Sequence, residues 1–416
     1  MSIPIPSIAM PARMPEQRAV PSALRLALFW LGIQAIWGAI LGISLQSRTI
    51  EIVGAGPSVV AYGRLATLGA LVAAVVQVLV GILSDARRRQ GSRRIEFYAA
   101  GAIGGAASLV FFYQAQTFVA LTVAYVLLQA SLNLAIGPYQ AIIPDFIERA
   151  KIGAASSWMA ALQGAGNAVG ALAASFIANA RVLAASLSAL LLATCAITSV
   201  HARRLAVQDD AARAAVPLRI TRPFVDLFIS RALIYIGFYT LLGYLLFYVE
   251  SVLGVTSLAA AKEQTGILIV TFTIVGALGA ALAAKPSDRL DKRIVATAGA
   301  AAFIAALALF IGSHAFTGAL AATLIAGIGW GAFLVADWAI ACRVLPPGAM
   351  AAGMGVWNLA IVLPQIVAPA LTTAVLQSLH AAAASGAPKV AFGLALAETL
   401  VGIAWLWRLS RCAIEE

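Results

Sequence analysis

Apolar runs of 18 to 27 residues alternate with short polar breaks along nearly the whole chain. Each run is long enough to cross a hydrocarbon core of about 30 Å as a helix. The charged residues gather in the breaks instead of forming a stripe along one helical face. The pattern predicts twelve spans, at 25–47, 57–83, 96–114, 118–143, 153–178, 183–200, 226–249, 264–284, 294–313, 317–342, 351–377 and 389–408. The longest polar break, "HARRLAVQDDAARAAVPLRITRPF" at 201–224, falls near the middle. The predicted organisation is therefore a tail (1–24), six helices (25–200), a linker (201–224), six helices (225–408) and a second tail (409–416).

Composition narrows the class. The chain is 62% hydrophobic and 11% charged, with mean hydropathy +0.94, whereas an ordinary soluble domain carries about 25% charged residues. An all-α membrane protein is predicted. The net charge of +11 does not point to nucleic acid, because the basic residues sit in short interhelical loops and form no basic face. Counted by side, 22 of the 28 Lys and Arg flank the ends that share a side with both termini, including the run "GILSDARRRQGSRR" (81–94). Four (Arg48, Arg181, Lys262 and Lys389) lie on the other side, and Arg64 and Arg231 lie within spans. This asymmetry places both termini in the cytoplasm of a multi-pass protein of a bacterial inner membrane. Residues 1–21, with prolines at 4, 6, 11, 15 and 21, read as a disordered tail, and no small-residue cleavage site follows the first apolar run.

Catalytic chemistry finds no support. Cys195, Cys342 and Cys412, and His201, His314 and His380, show no metal-ligand spacing. The Gly-rich stretch 101–107 lacks a phosphate-loop signature. No cofactor, no metal and no enzyme activity are expected.

The two halves repeat each other. "SDARRRQ" follows span 2 and "SDRLDKR" follows span 8. "WMAALQGAGNAVGAL" (158–172) aligns without gaps to "WNLAIVLPQIVAPAL" (357–371). Parallel six-helix repeats about an axis along the membrane normal, with a site between them, are the build of alternating-access carriers. In the doubled loop signature the chain resembles the major facilitator superfamily. In "SDARRRQGSRRIEF", "NLAIGPYQAIIPDF" (133–146) and "GNAVG" (166–170) it is most similar to the sucrose/proton symporters and the glycoside–pentoside–hexuronide symporters. The resemblance implies the major facilitator fold, two pseudo-symmetric six-helix bundles in a monomer. Anchoring on Gly137 and Pro138 places Asn133 and Asp145 on matching Asn and Asp positions. Gln129 stands where the proton-coupling Asp is found, and Gln140 where the substrate-linked Arg is found, so the usual coupling route is missing.

Candidate site residues follow from depth and chemistry. Amides that supply donors and acceptors, with rings that stack on sugar CH faces, suit an uncharged polyhydroxyl solute. These are Gln34, Gln129, Asn133, Gln140, Gln163, Asn167 and Asn358, with Tyr239, Trp330 and Trp357. Ionisable residues within spans are costly and are paired or functional. Arg231 and Asp337 lie at matching depths in spans 7 and 10 and are expected to pair, in a structural, coupling or gating role. The resemblance implies that Asp85, Arg89, Asp145 and Asp288, at cytoplasmic loop ends, latch the halves. Glu398 (span 12) and Arg64 (span 2) complete the intramembrane charges. The expected partners are a small-molecule substrate, with a co-transported proton or cation left open, and the lipid bilayer. The leading reading is a sugar or glycoside symporter or facilitator. Two alternatives stand beside it: an exporter of an amphipathic metabolite or drug, and a non-transporting assembly factor like the bacteriochlorophyll-delivery relatives, which "SRTIEIVG" (47–54) resembles.

Overall fold

Lipid offers no hydrogen-bond partner to an N–H or C=O group, so a chain this apolar must satisfy its backbone within each spanning segment. The computed structural model accordingly contains helices and no strand among the described residues. It describes residues 19–89, 94–140, 152–205, 220–344, 350–380 and 385–409, together with Ile142, Phe146 and Ile147. The first span, α1, runs as Ala19–Ala27, Phe29–Ala39, a π-helical turn Ile40–Ser44, and Leu45–Val53. The first half continues with α2 (Ala55–Arg89), α3 (Ile95–Gln114), α4 (Phe118–Tyr139), α5 (Ile152–Phe176) and α6 (Ala180–Arg203). The second half comprises α7 (Arg222–Ser251), α8 (Leu258–Arg289), α9 (Lys292–Gly312), α10 (Phe316–Val344), α11 (Met350–Ser378) and α12 (Ala387–Leu406). Eleven of these are long and apolar enough to cross a membrane, and α5, with 25 residues, is the twelfth long helix.

The helices begin where side chains can cap them. Thr117, Thr221 and Ser257 accept from the backbone N–H three residues on, and Asn179 and Asp291 from the N–H two residues on. Gly54, at φ +81°, turns the chain between α1 and α2. Several helices outrun the predicted spans: α1 reaches Val53, and α8 covers Leu258–Arg289 where 264–284 was expected. Hydropathy marks where the hydrocarbon ends, but helical hydrogen bonding continues into the interface, so Arg48 and Lys262 belong to helices.

Small residues set the helix spacing. At the α1–α5 crossing a Cβ on Gly170 would sit 1.8 Å from the Ala35 carbonyl oxygen, and one on Gly38 would sit 2.2 Å from that of Asn167. In the second half Gly331 approaches Gly276 and Gly279 approaches Ile328 between α8 and α10, while Gly299 and Gly329 meet between α9 and α10. In lipid such close backbone approach substitutes for the hydrophobic drive that helices lack there. Large apolar residues that are 50–69% exposed, such as Leu71, Val75 and Leu79 on α2 and Ile274, Leu278 and Leu282 on α8, fit an acyl-chain environment.

The halves meet at the end remote from the termini. Gly63 of α2 packs on Thr373 of α11, and Gly266 of α8 packs on Ser175 of α5. Tyr62 lies edge-on to Tyr244 and Phe247 of α7 at 5.7 and 5.5 Å between centroids. The π turn of α1 adds Gly42 against Ile269. Gln46 bridges the halves: its Nε2 donates to Leu41 O within α1 at 2.8 Å and to Gly243 O of α7 at 3.3 Å.

Overpacking a tight crossing costs about 1–3 kcal/mol. Gly170→Ala is expected to lower thermal stability in detergent by an amount at the upper end of that range. Gly164→Ala, on the same helix with open space around it, should be neutral or slightly stabilising. Equal effects from the two variants would refute the crossing argument.

Candidate functional site

Two features lie between the sealed end and the terminal end: a buried ion pair within the second half, and a small polar pocket between the halves. Arg231 stands about 13 Å along α7 from its start, from a rise of roughly 1.5 Å per residue. There its guanidinium pairs with the Asp337 carboxylate of α10, and the two side chains are 3% and 2% exposed. Arg231 Nη2 also donates to Tyr235 OH at 3.2 Å. The guanidinium carbon lies 3.5 Å from the centroid of a Trp357 ring on α11 and 4.7 Å from that of Tyr235. A planar, weakly hydrated cation on an indole face is a favourable arrangement once water is excluded. Trp338 closes the stack edge-on to Trp357 at 5.2 Å. Arg231 Nε and Trp357 Nε1 are buried donors with no hydrogen-bond acceptor among the described residues.

All the residues of this cluster belong to α7, α10 and α11, so the pair ties helices within one half and does not latch the halves together. The first half has an apolar counterpart. Between α1 and α4, Trp30 packs on Tyr139 at 5.2 Å, and Tyr139 OH donates to Leu26 O at 2.6 Å. One half thus holds its cavity-side helices with rings, the other with a charge pair.

The pocket lies against the seal. Tyr62, Ala66 and Ala70 of α2, Tyr125 and Gln129 of α4, Leu41 of α1, Tyr239, Leu242 and Gly243 of α7, and Gln365 and Pro369 of α11 line it. Its volume is about 50 Å³, room for a few waters, each of which needs about 10–15 Å³ of such space. Its polar groups are three tyrosines and two amides, with no ionised side chain among the lining residues. Tyr239 OH accepts from Gln365 Nε2 at 2.9 Å, and Gln129 Nε2 donates to Tyr125 OH at 2.8 Å. Asn133 Nδ2 donates to Gln129 O at 2.8 Å, which holds that amide along α4.

Of the residues named from sequence, Gln129 and Tyr239 line the pocket, with Asn133 behind Gln129. Gln34, Gln163 and Asn167 are half-buried, with Gln34 packed at the α1–α5 crossing beside Gly166. Trp330 is not open to a ligand: it is 6% exposed, stacked on Phe238 at 4.3 Å and edge-on to Tyr235. Trp357 is equally enclosed beneath Arg231, whereas Trp158, its partner in the repeat, is 38% exposed. Gln140 is exposed at the end of α4, Asp288 is exposed near the end of α8, and Arg64 is exposed on α2. Asp145 lies outside the described residues, as do the side chains of Asp85, Arg89 and Asn358. Sequence reading missed Tyr62, Tyr125 and Gln46. Tyrosines in an apolar run read as core, and no periodicity announces a π turn.

The Major Facilitator Superfamily profile matches residues 23–409. The chain belongs to the major facilitator superfamily. It is therefore a membrane transporter in class, and members of this superfamily are in general not enzymes. No curated protein matches it in sequence. Among solved structures it is similar to a bacterial homolog of the human lysosomal transporter Spinster in an inward-facing, occupied conformation. The TM-score is 0.73 at 15% identity, over 96% of this chain and 98% of that one. It is also similar to the nucleoside transporter NupG, with TM-score 0.67 at 14% identity over 92% and 98%. A third likeness is to a bacterial homologue of the iron transporter ferroportin in an inward-facing state, with TM-score 0.63 at 13% identity over 96% and 100%. At these identities the likeness is one of fold.

Removing one member of a buried pair strands the other charge, at about 3–5 kcal/mol. Arg231→Met or Asp337→Leu alone should destabilise the transporter by that order. The double variant should recover most of the loss, measured as a thermal double-mutant cycle in detergent. Additive losses would refute the pairing energetics. Gln46→Ala removes a bridge worth about 0.5–1.5 kcal/mol. In a background lacking Cys195, Cys342 and Cys412, it should raise alkylation of a cysteine at Ala66 from the far side about two- to tenfold. An unchanged rate would refute the bridge.

Proposed function

We propose that this transporter carries a small uncharged polyhydroxyl solute, a sugar or glycoside, by alternating access across a bacterial inner membrane. The observation that supports this best is the chemistry between the halves: tyrosine hydroxyls and the amides of Gln129 and Gln365, without an ionised group among the lining residues. Such groups exchange hydrogen bonds with hydroxyls, and the rings of Tyr62, Tyr125 and Tyr239 offer flat faces to CH groups. An ionic solute would leave its charge unmatched there. The buried Arg231–Asp337 pair is already neutralised within itself and stacked under Trp357. In this reading it keeps α7, α10 and α11 moving as one block.

The positive-inside asymmetry supports termini in the cytoplasm. With that orientation the seal through Gly63, Gly266, Tyr62 and Gln46 lies on the outer side, and the conformation is inward-facing. Asp85, Arg89, Asp145 and Asp288 then sit at the inner face, where they would latch the halves when the carrier opens outward. In the resemblance to the sucrose group, Gln129 and Gln140 stand where the coupling Asp and the substrate-linked Arg are found, so in this proposal any driving proton binds elsewhere. The protein works as a monomer in this proposal, since each chain holds both halves of the site.

The experiment is counterflow in proteoliposomes, with unlabelled solute inside and labelled solute outside, across a panel of mono- and disaccharides, glycosides and nucleosides. Transient accumulation of a sugar supports the reading. Accumulation of nucleosides alone would replace the solute, and no counterflow from folded protein would overturn the proposal. For the solute that exchanges, Tyr239→Phe and Gln365→Leu should each raise KM about two- to tenfold, the worth of one hydrogen bond.

A further inference from the structure

Helix α12 carries a carboxyl that no other group explains. Glu398 is 7% exposed, and neither Oε1 nor Oε2 has a hydrogen-bond partner among the described residues. It lies eight residues, about 12 Å, from the end of α12, on the same buried stripe as Ala395 and Gly402. That stripe is pressed on α7. Ser230 Oγ donates to Gly402 O at 2.8 Å, and a Cβ on Gly237 would meet Thr399 Oγ1 at 2.6 Å. Phe392, further along, packs between Tyr248 of α7 and Phe310 of α9.

The helices packed against α12 offer it no counter-charge. On α7, Arg231 is taken by Asp337, and Asp226 accepts from Trp405 Nε1 with Arg222 nearby. Tyr235 faces Arg231, Tyr239 bonds Gln365, and Tyr244 faces Thr373. Tyr248 donates to Ser313 O, and Glu250 lies at the far end. On α9 the basic residues are Lys292 and Arg293 at the terminal end, with Arg293 held by Asp291 and Leu409 O. Helix α11 has no titratable residue between 350 and 378, and Lys389 of α12 meets His314 at the opposite end. A structural carboxylate would be expected to hold an ion pair or an interhelical hydrogen bond, and among the described residues Glu398 has neither.

We propose that Glu398 is the group at which this carrier binds and releases a proton. An unpartnered carboxylate inside a membrane is expensive, and protonation removes the charge. Water on one side supplies the proton to an Oε atom, and water on the other side accepts it after the conformational switch. Helix α7 links this event to access. One of its faces abuts the Glu398 stripe, and its Gly243, Tyr244 and Phe247 form part of the seal. Opening the sealed end lifts α7 from α1 and α2 and carries α12 with it in the same block, so the carboxyl is reached by water from one side of the membrane in one state and from the other side in the other. The inference rests on the carrier reading, and it fills the coupling role that Gln129 cannot take.

Infrared spectroscopy of the full-length protein at pH 7 tests occupancy without any solute. The wild type minus E398Q difference should show a protonated-carboxyl stretch. Loss of an ionised-carboxylate band in its place would overturn the proposal. In proteoliposomes E398Q should keep counterflow but lose uphill movement under a gradient of about one pH unit. That gradient supports about tenfold accumulation at one proton per solute. Gradient-driven accumulation by E398Q equal to wild type would also overturn it. E398M, an apolar residue of similar length, guards against misfolding: it should unfold at or above the wild-type temperature. Marked destabilisation of both variants would reassign Glu398 to structure. Failure of the carrier reading itself would appear separately, as absence of counterflow in the wild type.

Discussion

Everything in this molecule depends on how closely helices approach one another where no water drives them together. Lipid tails are as apolar as leucine, so burying leucine against leucine gains little, and contact area must come from backbones that nearly touch. Gly38, Gly166 and Gly170 let α1 and α5 meet almost carbonyl to Cα, and Gly276, Gly279 and Gly331 do the same for α8 and α10. These crossings fix two rigid blocks and leave the seam between them to weaker, more local contacts. A carrier needs that division, since the blocks must persist while the seam opens and closes.

The seam is built from groups that can part at modest cost. Tyr62 against Tyr244 and Phe247, an amide bridge from Gln46 and close approaches at Gly42, Gly63 and Gly266 are among its contacts. The π turn at Ile40–Ser44 is where α1 meets the other half, and such turns occur at functional positions because they break the regular helical ladder. The large electrostatic terms are kept elsewhere. Arg231 and Asp337 neutralise each other inside one block, so rocking of the blocks need not separate charges in a low-dielectric medium. Glu398 lies on α12, whose buried stripe packs against another face of α7.

Sequence depth, with the place of helices 7 and 10 in the fold that the resemblance implies, paired Arg231 with Asp337, because two opposite charges six or so residues from the same membrane face have few other ways to coexist. It could not foresee Trp357 beneath the guanidinium, since a tryptophan at a repeat position reads alike in both halves, and Trp158 lies exposed. Trp330 shows the converse. Its composition suggested a ring offered to a solute, yet Phe238, Phe303 and Phe333 enclose it. Gln129 and Tyr239 line the pocket, and Tyr62 and Tyr125 join them from helices whose apolar runs gave no reason to single them out.

The sequence by itself determined the class, the approximate spans, the six-plus-six plan and the charge asymmetry. Each follows from a one-dimensional quantity: run length against bilayer thickness, loop charge against side, and repeat against repeat. Only the tertiary structure decided which end is sealed, which polar residues share the pocket, and which buried carboxyl lacks a partner. Those outcomes depend on helix rotation and on contacts between segments far apart in the chain. A hydropathy pattern that is apolar on every side carries no record of which face turns inward.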